Sequence, residues 1–518
     1  MKHYEWTEQE LSEIDSILTD ADKEFLANVK KLRAEQKKEY LRPKLHFQAP
    51  KGTLNDPNGL CKFKGIWHMF YQDQPGDGTG CNWGHAMSKD MLHWMDLPKA
   101  IVREKEKDCW SGMTLVEEDR VLAVYFGLGK GIMLAISQDP YLIHWEKQND
   151  GEPIIPIPTE EPEKSQYIVF DPCIFKNGDT YVVLSGKFYV NEHSGRRQRQ
   201  CFKFESKDLV NWEFKGRFIE NDQFSLPDDD NACPYFVKCD GRHAMFSYSH
   251  FSGPKVTIGD YDAERNVFVA TNAKHFTSTS SVAAGMLAPS AFTVEDGSVR
   301  LIFNVEHILN PGTNHKAMSL PYRVTLAGEN KNTIAVDVAK EAEGLRVPDS
   351  LVEKSNIALE CNREYFIEEG QGDVNELYFE FEGKNIPMIE IKLMMSEDGE
   401  EYSALRVFRQ RGNCYYPRFC PGFTFRHAHE TVVELDTTNS TRTGNVRVPD
   451  YQAFWLEPDE KLKVRVFMDR SVIDVFVNGQ VAMSARVSPV SGDNKRVSVI
   501  AHGNDLELCK FESYKLSL

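Results

Sequence analysis

The sequence predicts an all-β chain: a five-bladed β-propeller followed by a C-terminal β-sandwich, with an N-terminal helical extension in front. Three observations carry this. After Pro43 the chain breaks into short aromatic and β-branched runs punctuated by Gly, Asp and Asn, such as Ile66 to Tyr71, Val121 to Gly127, Tyr181 to Ser185 and Leu301 to Val305. That is the pattern of many short antiparallel strands. A Trp-bearing segment also recurs: Ser88-Lys89-Asp90-Met91-Leu92-His93-Trp94 returns at Ser206 to Trp212 and, slightly lengthened, at Ser137 to Trp145. A period of roughly 40–50 residues with several strands in each unit indicates propeller blades, and about five fit between Pro43 and Leu326. Finally, strict alternation resumes in the tail at Leu377-Tyr378-Phe379-Glu380-Phe381, and Val472 to Val477 runs into Asn478-Gly479. Asn-Gly between apolar runs is a strong hairpin signal, and a tail of this kind reads as a sandwich.

The elements follow in order. Residues 1–42 form the helical extension. Thr7 and Glu10 make a capping box, in which each side chain satisfies the other's free backbone N–H. Leu11, Ile14, Leu18, Phe25, Val29 and Leu32 keep helical spacing with one break, which predicts helix from about 7 to 40. Lys30, Lys31, Arg33, Lys37 and Lys38 crowd its negative end, and Pro43 stops it. The apolar stripe is expected to pack on its own domain, with a homo-oligomer seam as the alternative. Residues 43–330 are the propeller. Residues 331–350 turn polar and charged and read as a linker. Residues 351–518 are the sandwich.

Composition narrows the function. The 518 residues carry a net charge of -17, which repels phosphate backbones and anionic headgroups. Nucleic acid and membrane are therefore excluded as expected partners, and a neutral small oligosaccharide suits the surface better. No apolar run approaches the ~20 residues a bilayer span needs. The 11 cysteines are an odd number without a C-x-x-C pair, and no His/Cys cluster has zinc spacing. No metal or cofactor is expected. Without an apolar h-region at the start, the expected location is the cytoplasm.

Two carboxylates stand out. Asp56 lies in Asn55-Asp56-Pro57-Asn58-Gly59, where Pro and Gly spacing predicts a type I turn. Asp171 lies in Phe170-Asp171-Pro172. A propeller gathers its innermost strands round one axial cavity, so carboxylates far apart in sequence can meet there. Two carboxylates in one cavity suit glycoside hydrolysis, whose oxocarbenium-like transition state wants a nucleophile and a proton donor.

In this setting the chain resembles glycoside hydrolase family 32, the invertases and fructanases, from about Arg42 to the C-terminus. Thr53 to Gly59 matches the family's W-M-N-D-P-N-G. Gln72 follows in Phe70-Tyr71-Gln72. Trp83 to Trp94 reproduces W-G-H-A-x-S-x-D-x-x-x-W. Trp110-Ser111-Gly112 looks like the aromatic-Ser-Gly segment, and Phe467 to Phe476 like a sandwich strand of the family. The resemblance implies Asp56 as the nucleophile of a retaining reaction and Asp171, in the family's R-D-P, as the transition-state stabiliser. It implies Asn55, Gln72, Trp83, Trp110 and Ser111 as the lining of the sugar site, beside Phe170, Ala232 and Cys233.

The match breaks at the acid/base. The family's E-C-P is Ala232-Cys233-Pro234 here, and alanine moves no proton. Phe170 replaces the Arg before Asp171, Thr53 the leading Trp, Tyr235 the Asp after E-C-P, and Leu287 the Tyr before Ala-Pro. An engineered Glu→Ala exchange explains one departure; divergence explains all. Under divergence the proton comes from elsewhere, and Asp230, in the run Asp228-Asp229-Asp230, is the candidate substitute. A carbohydrate-binding protein without catalysis, and an assembly role for the helix, are the competing readings.

Overall fold

In the computed structural model the described residues are 4–161, 165–278, 285–306, 316–383, 387–409, 430–443, 449–457 and 459–518. They form five sheets, antiparallel apart from the short strand Ile219–Glu220, which pairs parallel in the fourth, and then two six-stranded sheets. The first five are the blades. Their inner strands are Thr53–Phe63, Cys109–Val116, Pro172–Asn177, Ala232–Cys239 and Gly285–Thr293. Each inner strand packs on the next, and the fifth returns to the first, which closes the ring.

The recurring Trp segment has one job in three blades. It turns the chain from Asn82–Ser88 to Met95–Ile101, from Gly131–Ser137 to Glu146–Lys147, and from Arg197–Ser206 to Glu213–Arg217. Its Asp carboxylate accepts the N–H groups that follow. Asp90 takes Leu92 and His93, Asp139 takes Tyr141 and Ile143, and Asp208 takes Val210 and Asn211. A side chain that caps its own turn in this way needs no help from the neighbouring blade.

Four of the five inner strands are bulged at the end nearest the axis. The register slips between Leu54 and Pro57, Cys109 and Gly112, Ala232 and Tyr235, and Met286 and Pro289. A bulge turns an extra residue out of the ladder and re-aims its side chain. Each of these four blades therefore presents a non-alternating pair, while the inner strand of blade 3 keeps a regular register.

The sandwich packs on blade 5. Tyr322 meets Phe476 edge-on with ring centroids 5.0 Å apart, inside a core shared with Phe303, Phe467 and Ala482. The two units are also locked by charge. His46, just ahead of blade 1, places Nδ1 2.8 Å from Asp469 and Nε2 2.7 Å from Asp474, all three fully buried. Asp469 also accepts the N–H groups of Lys44, Leu45 and His46. Burial alone would pull the imidazole down. The two carboxylates outweigh it and raise His46 to about 9, so it donates from both nitrogens.

Two sequence expectations change. The expected helix is two: α1 (Glu8–Ile17) and α2 (Asp20–Gln36). A second capping box, Thr19 with Asp22, starts α2 and breaks the helix at Leu18–Thr19. The stripe packs on its own domain: Ile14 is buried against Met87, Leu97, Tyr141 and Ile143, and Arg33 grips Asp96 of blade 1 with two hydrogen bonds of 2.9 and 2.7 Å. The expected linker 331–350 contains Thr333–Val338, the outer strand of blade 5, paired with Tyr322–Ala327, followed by the short helix Lys340–Leu345. Its alternation of exposed and buried residues was masked by the flanking charges.

His46 generates a test. A group whose pKa is higher folded than unfolded stabilises fully below its unfolded value, and that contribution fades as pH rises through the folded value. Stability should therefore fall as pH rises from about 6.5 through about 9. His46→Ala should remove this limb and cost about 3–5 kcal/mol, because two buried carboxylates lose their cation. Urea midpoints across pH measure both.

Candidate active site

The bulged pairs converge on a cavity of about 320 Å³ at the propeller axis. Asn55, Asp56, Gln72, Trp110, Ser111, Phe170, Asp171 and Cys233 line it, so eight of the residues singled out in the sequence meet in space. The expected turn at Asn55 to Gly59 is instead part of the strand Thr53–Phe63. Asp56 sits in its bulge, and Gly59 supplies the positive φ of 51° that follows.

A relay of hydrogen bonds fixes Asp56. Its Oδ2 accepts from Ser111 Oγ at 2.6 Å and from Gln72 Nε2 at 3.2 Å. Gln72 also donates to Ser111 Oγ at 2.8 Å and accepts from Asn55 Nδ2 at 2.8 Å. Asn55 in turn accepts from Lys316 Nζ at 2.6 Å. Gly112, next in the strand, packs against its neighbour so closely that a Cβ there would collide with the Val124 carbonyl.

Asp171 ends the loop before Pro172–Asn177 and is buried. Burial raises its carboxyl and the Asp56 charge adds to this. The Cys233 N–H, 3.0 Å from Oδ2, opposes them, and the balance lies at about 6. The Cys233 Sγ stands 3.4 Å from Asp171 and 3.6 Å from Asp56. Burial, with these two charges, pushes the thiol well above its ordinary range. It therefore remains S–H and donates to the carboxylates.

The other singled-out residues lie elsewhere. Trp83 is fully buried in the third strand of blade 1, among Phe70 and Tyr125. Its Nε1 donates to the Trp110 carbonyl at 2.8 Å, so it supports the wall from behind and does not face the cavity. Ala232 is 1% exposed and packs with Phe170, Tyr248, Leu287 and Ala288. Asp230 is not among the residues lining the cavity. Its carboxylate is buried and accepts the His250 N–H at 2.9 Å and Nδ1 at 2.7 Å. Burial would raise it, but the bonds to His250 outweigh that and hold it below the usual carboxylate range.

Sequence reasoning missed four lining residues: Gln74, Tyr248, His250 and Lys316. Gln74 lay two positions beyond the motif residue Gln72, on the same pleat face. The others sit in no motif and gave no signal. Tyr235, a departure from the family pattern, explains itself. Its hydroxyl donates to Gly112 O at 2.8 Å and accepts from Gly59 N and Ser290 Oγ, both at 2.9 Å. It ties four blades together at the axis beneath the cavity.

Known proteins resemble this chain over most of its length. The model for the glycosyl hydrolases family 32 N-terminal domain matches residues 46–332, and that for the family 32 C terminal matches 341–516. The insoluble β-fructofuranosidase isoenzyme CWINV5 of Arabidopsis thaliana is 24% identical, covering 88% of each chain. The sucrose-6-phosphate hydrolase of Escherichia coli is 25% identical over 89% of this chain and 92% of its own. Among solved structures, fructan 1-exohydrolase IIa of Cichorium intybus superposes with a TM-score of 0.76 at 19% identity, covering 92% of this chain and 98% of that one. A variant of that enzyme is solved in complex with 1-kestose.

The Asp56–Asp171 proximity can be measured. Infrared titration of the carboxyl band should find one group near 6. Asp56→Asn removes a like charge beside Asp171 and should move that titration to lower pH. An unmoved titration would separate the two carboxylates.

Proposed function

The chain belongs to glycosyl hydrolase family 32, and we propose that it hydrolyses small fructofuranosides with retention, Asp56 being the nucleophile and Asp171 the transition-state stabiliser. One observation carries the reading. The Asp56 carboxylate is aimed by Ser111 and Gln72 into a cavity whose other carboxylate, Asp171, is buried beside it. Hydrogen bonds from neutral groups orient Asp56 without covering it with a cation, which leaves a lone pair for the anomeric carbon. Attack forms a glycosyl ester on Asp56 and expels the leaving oxygen; water then cleaves the ester. Ionised Asp171 accepts from ring hydroxyls, bonds that strengthen as charge develops. Trp110, partly exposed, offers an apolar ring to the sugar. Tyr235 closes the axis below, which suits a terminal unit entering from one side, as in 1-kestose.

Ala232 in its apolar surroundings favours a second reading, a sugar-binding protein without turnover on a hydrolase scaffold. The nine described cysteines are free thiols, seven of them buried, which supports a reducing compartment such as the cytoplasm.

Asp56→Asn distinguishes the readings. On 1-kestose it should lower kcat by on the order of 10⁴–10⁶, the scale of removing a nucleophile, with calorimetric binding retained. Binding without fructose release by the wild type would select the second reading. In the active protein kcat/KM should fall as pH drops through about 6, where Asp171 takes up its proton.

A further inference from the structure

We propose that the proton donor of this site is the His250 imidazolium, held by Asp230, one residue pair outward from the place where the family carries its glutamate. The inference rests on the Asp56 reading above and supplies what that reading lacks.

The ladder of blade 4 carries the argument. Ala232 opens the inner strand and pairs directly with Tyr248 on the neighbouring strand, Arg242–Ser249. Residues two apart in a strand share a face, and directly opposed residues are close neighbours. One step further in the same register, just beyond both strand ends, Asp230 stands opposite His250. The structure shows that pair made: Asp230 takes both the backbone N–H and the Nδ1–H of His250, at 2.9 and 2.7 Å. Tyr248 and His250 both line the cavity, with their ring centroids 5.3 Å apart at 73°. The group lost at Ala232 is thus restored to the cavity rim from the facing strand.

The imidazole is suited to the task. Asp230 fixes its orientation through Nδ1, and Nε2, on the far side of the ring, carries the transferable proton. A carboxylate behind an imidazole is the usual device for setting tautomer and direction. The charged groups around it are Asp230, Asp171 and Lys187, whose Nζ lies 3.6 Å from Asp230; Tyr248 flanks it. Asp230 raises His250 above its ordinary 6.5, burial and Lys187 oppose this, and Asp171 adds to it. The carboxylate thus favours the protonated ring over the neutral one.

The steps balance. Asp56 forms a bond to the anomeric carbon as the bond from that carbon to the leaving oxygen breaks, and the Nε2 proton of His250 passes to that oxygen. In the second step water attacks the same carbon and gives its proton to neutral Nε2. The ester bond breaks, and fructose, the Asp56 carboxylate and the imidazolium are regenerated.

The experiment compares two leaving groups in the full-length protein. His250→Ala should lower kcat/KM on 1-kestose by about 10²–10⁴, the usual worth of a positioned acid. On 4-nitrophenyl fructofuranoside, whose phenolate needs little protonation, the loss should be under about tenfold. The alkaline limb of the wild-type pH profile, expected above 6.5, should disappear in His250→Ala on the nitrophenyl substrate. Asp230→Asn should shift that limb to lower pH, and its melting temperature controls for folding. Equal losses on both substrates, no loss on 1-kestose, or an alkaline limb that survives His250→Ala would each overturn the proposal. If the wild type leaves both substrates intact, or if turnover survives Asp56→Asn, the nucleophile reading falls first and the proton donor with it. If turnover depends on Asp56 but not on His250, the proton donor alone falls.

Discussion

The site depends on one constraint: inner strands that bulge where they reach the axis, in a ring that closes. A regular strand would send alternate side chains to opposite faces and offer the cavity one residue in two. The slips at Leu54–Pro57, Cys109–Gly112, Ala232–Tyr235 and Met286–Pro289 break that alternation at one height. Bulges cost ladder hydrogen bonds, and the freed amides have to find acceptors. They find them across blades: Cys233 N on Asp171, Gly59 N on the Tyr235 hydroxyl, Leu60 N on Ser290 Oγ. The same irregularity that aims the side chains therefore fastens the inner strands to one another. Activity and ring closure share their hydrogen bonds.

Electrostatics then separates the two carboxylates. Both face one cavity, yet only Asp171 is fully withdrawn from water, and burial raises it to about 6. Asp56 keeps partial exposure and neutral donors. The thiol of Cys233, forced to stay protonated, bridges them as a donor to each. A cation at that point would pair with both carboxylates. A protonated thiol satisfies them at far lower cost to reactivity. Like-charged groups with unequal environments are a common way of dividing roles in one pocket.

Much of this was legible in the sequence, and the misses share a physical cause. Short motifs fix where a residue stands along the chain; they do not fix how far its strand lies from the axis. Gln72, in the second strand, is long enough to reach inward. Trp83 pairs with it in register on the third strand, too far out, so its indole stops at the Trp110 carbonyl. The acidic run before Ala232 was visible, but not that Asp230 would be consumed by a histidine twenty positions on. The blades were readable because each repeats a turn that caps itself through a local Asp. The break in the helix was readable too, in Thr19 and Asp22, but the longer apolar stripe overrode it. His250 and Lys316 were silent because their meaning lies entirely in pairings across strands.

Those pairings also make sense of the departures. Phe170, Ala232 and Leu287 looked like separate losses, but they touch one another in a single apolar wall with Tyr248 and Ala288. An exchange of one residue leaves its neighbours unchanged; a wall altered at three contacting positions has been rebuilt as a unit. The charges removed from the inner strands return from the second strands. In blade 3, Pro172 pairs with Ser185, and the same register carried outward sets Phe170 opposite Lys187, whose ammonium sits 3.8 Å above the phenyl ring. In blade 4 the step outward from Ala232–Tyr248 sets Asp230 opposite His250. An arginine and a glutamate are missing from one side of the ladders, and a lysine and a histidine stand on the other, joined through Asp230. His250 thus lines the cavity beside an apolar wall, with Lys187 paired to Asp230 behind it.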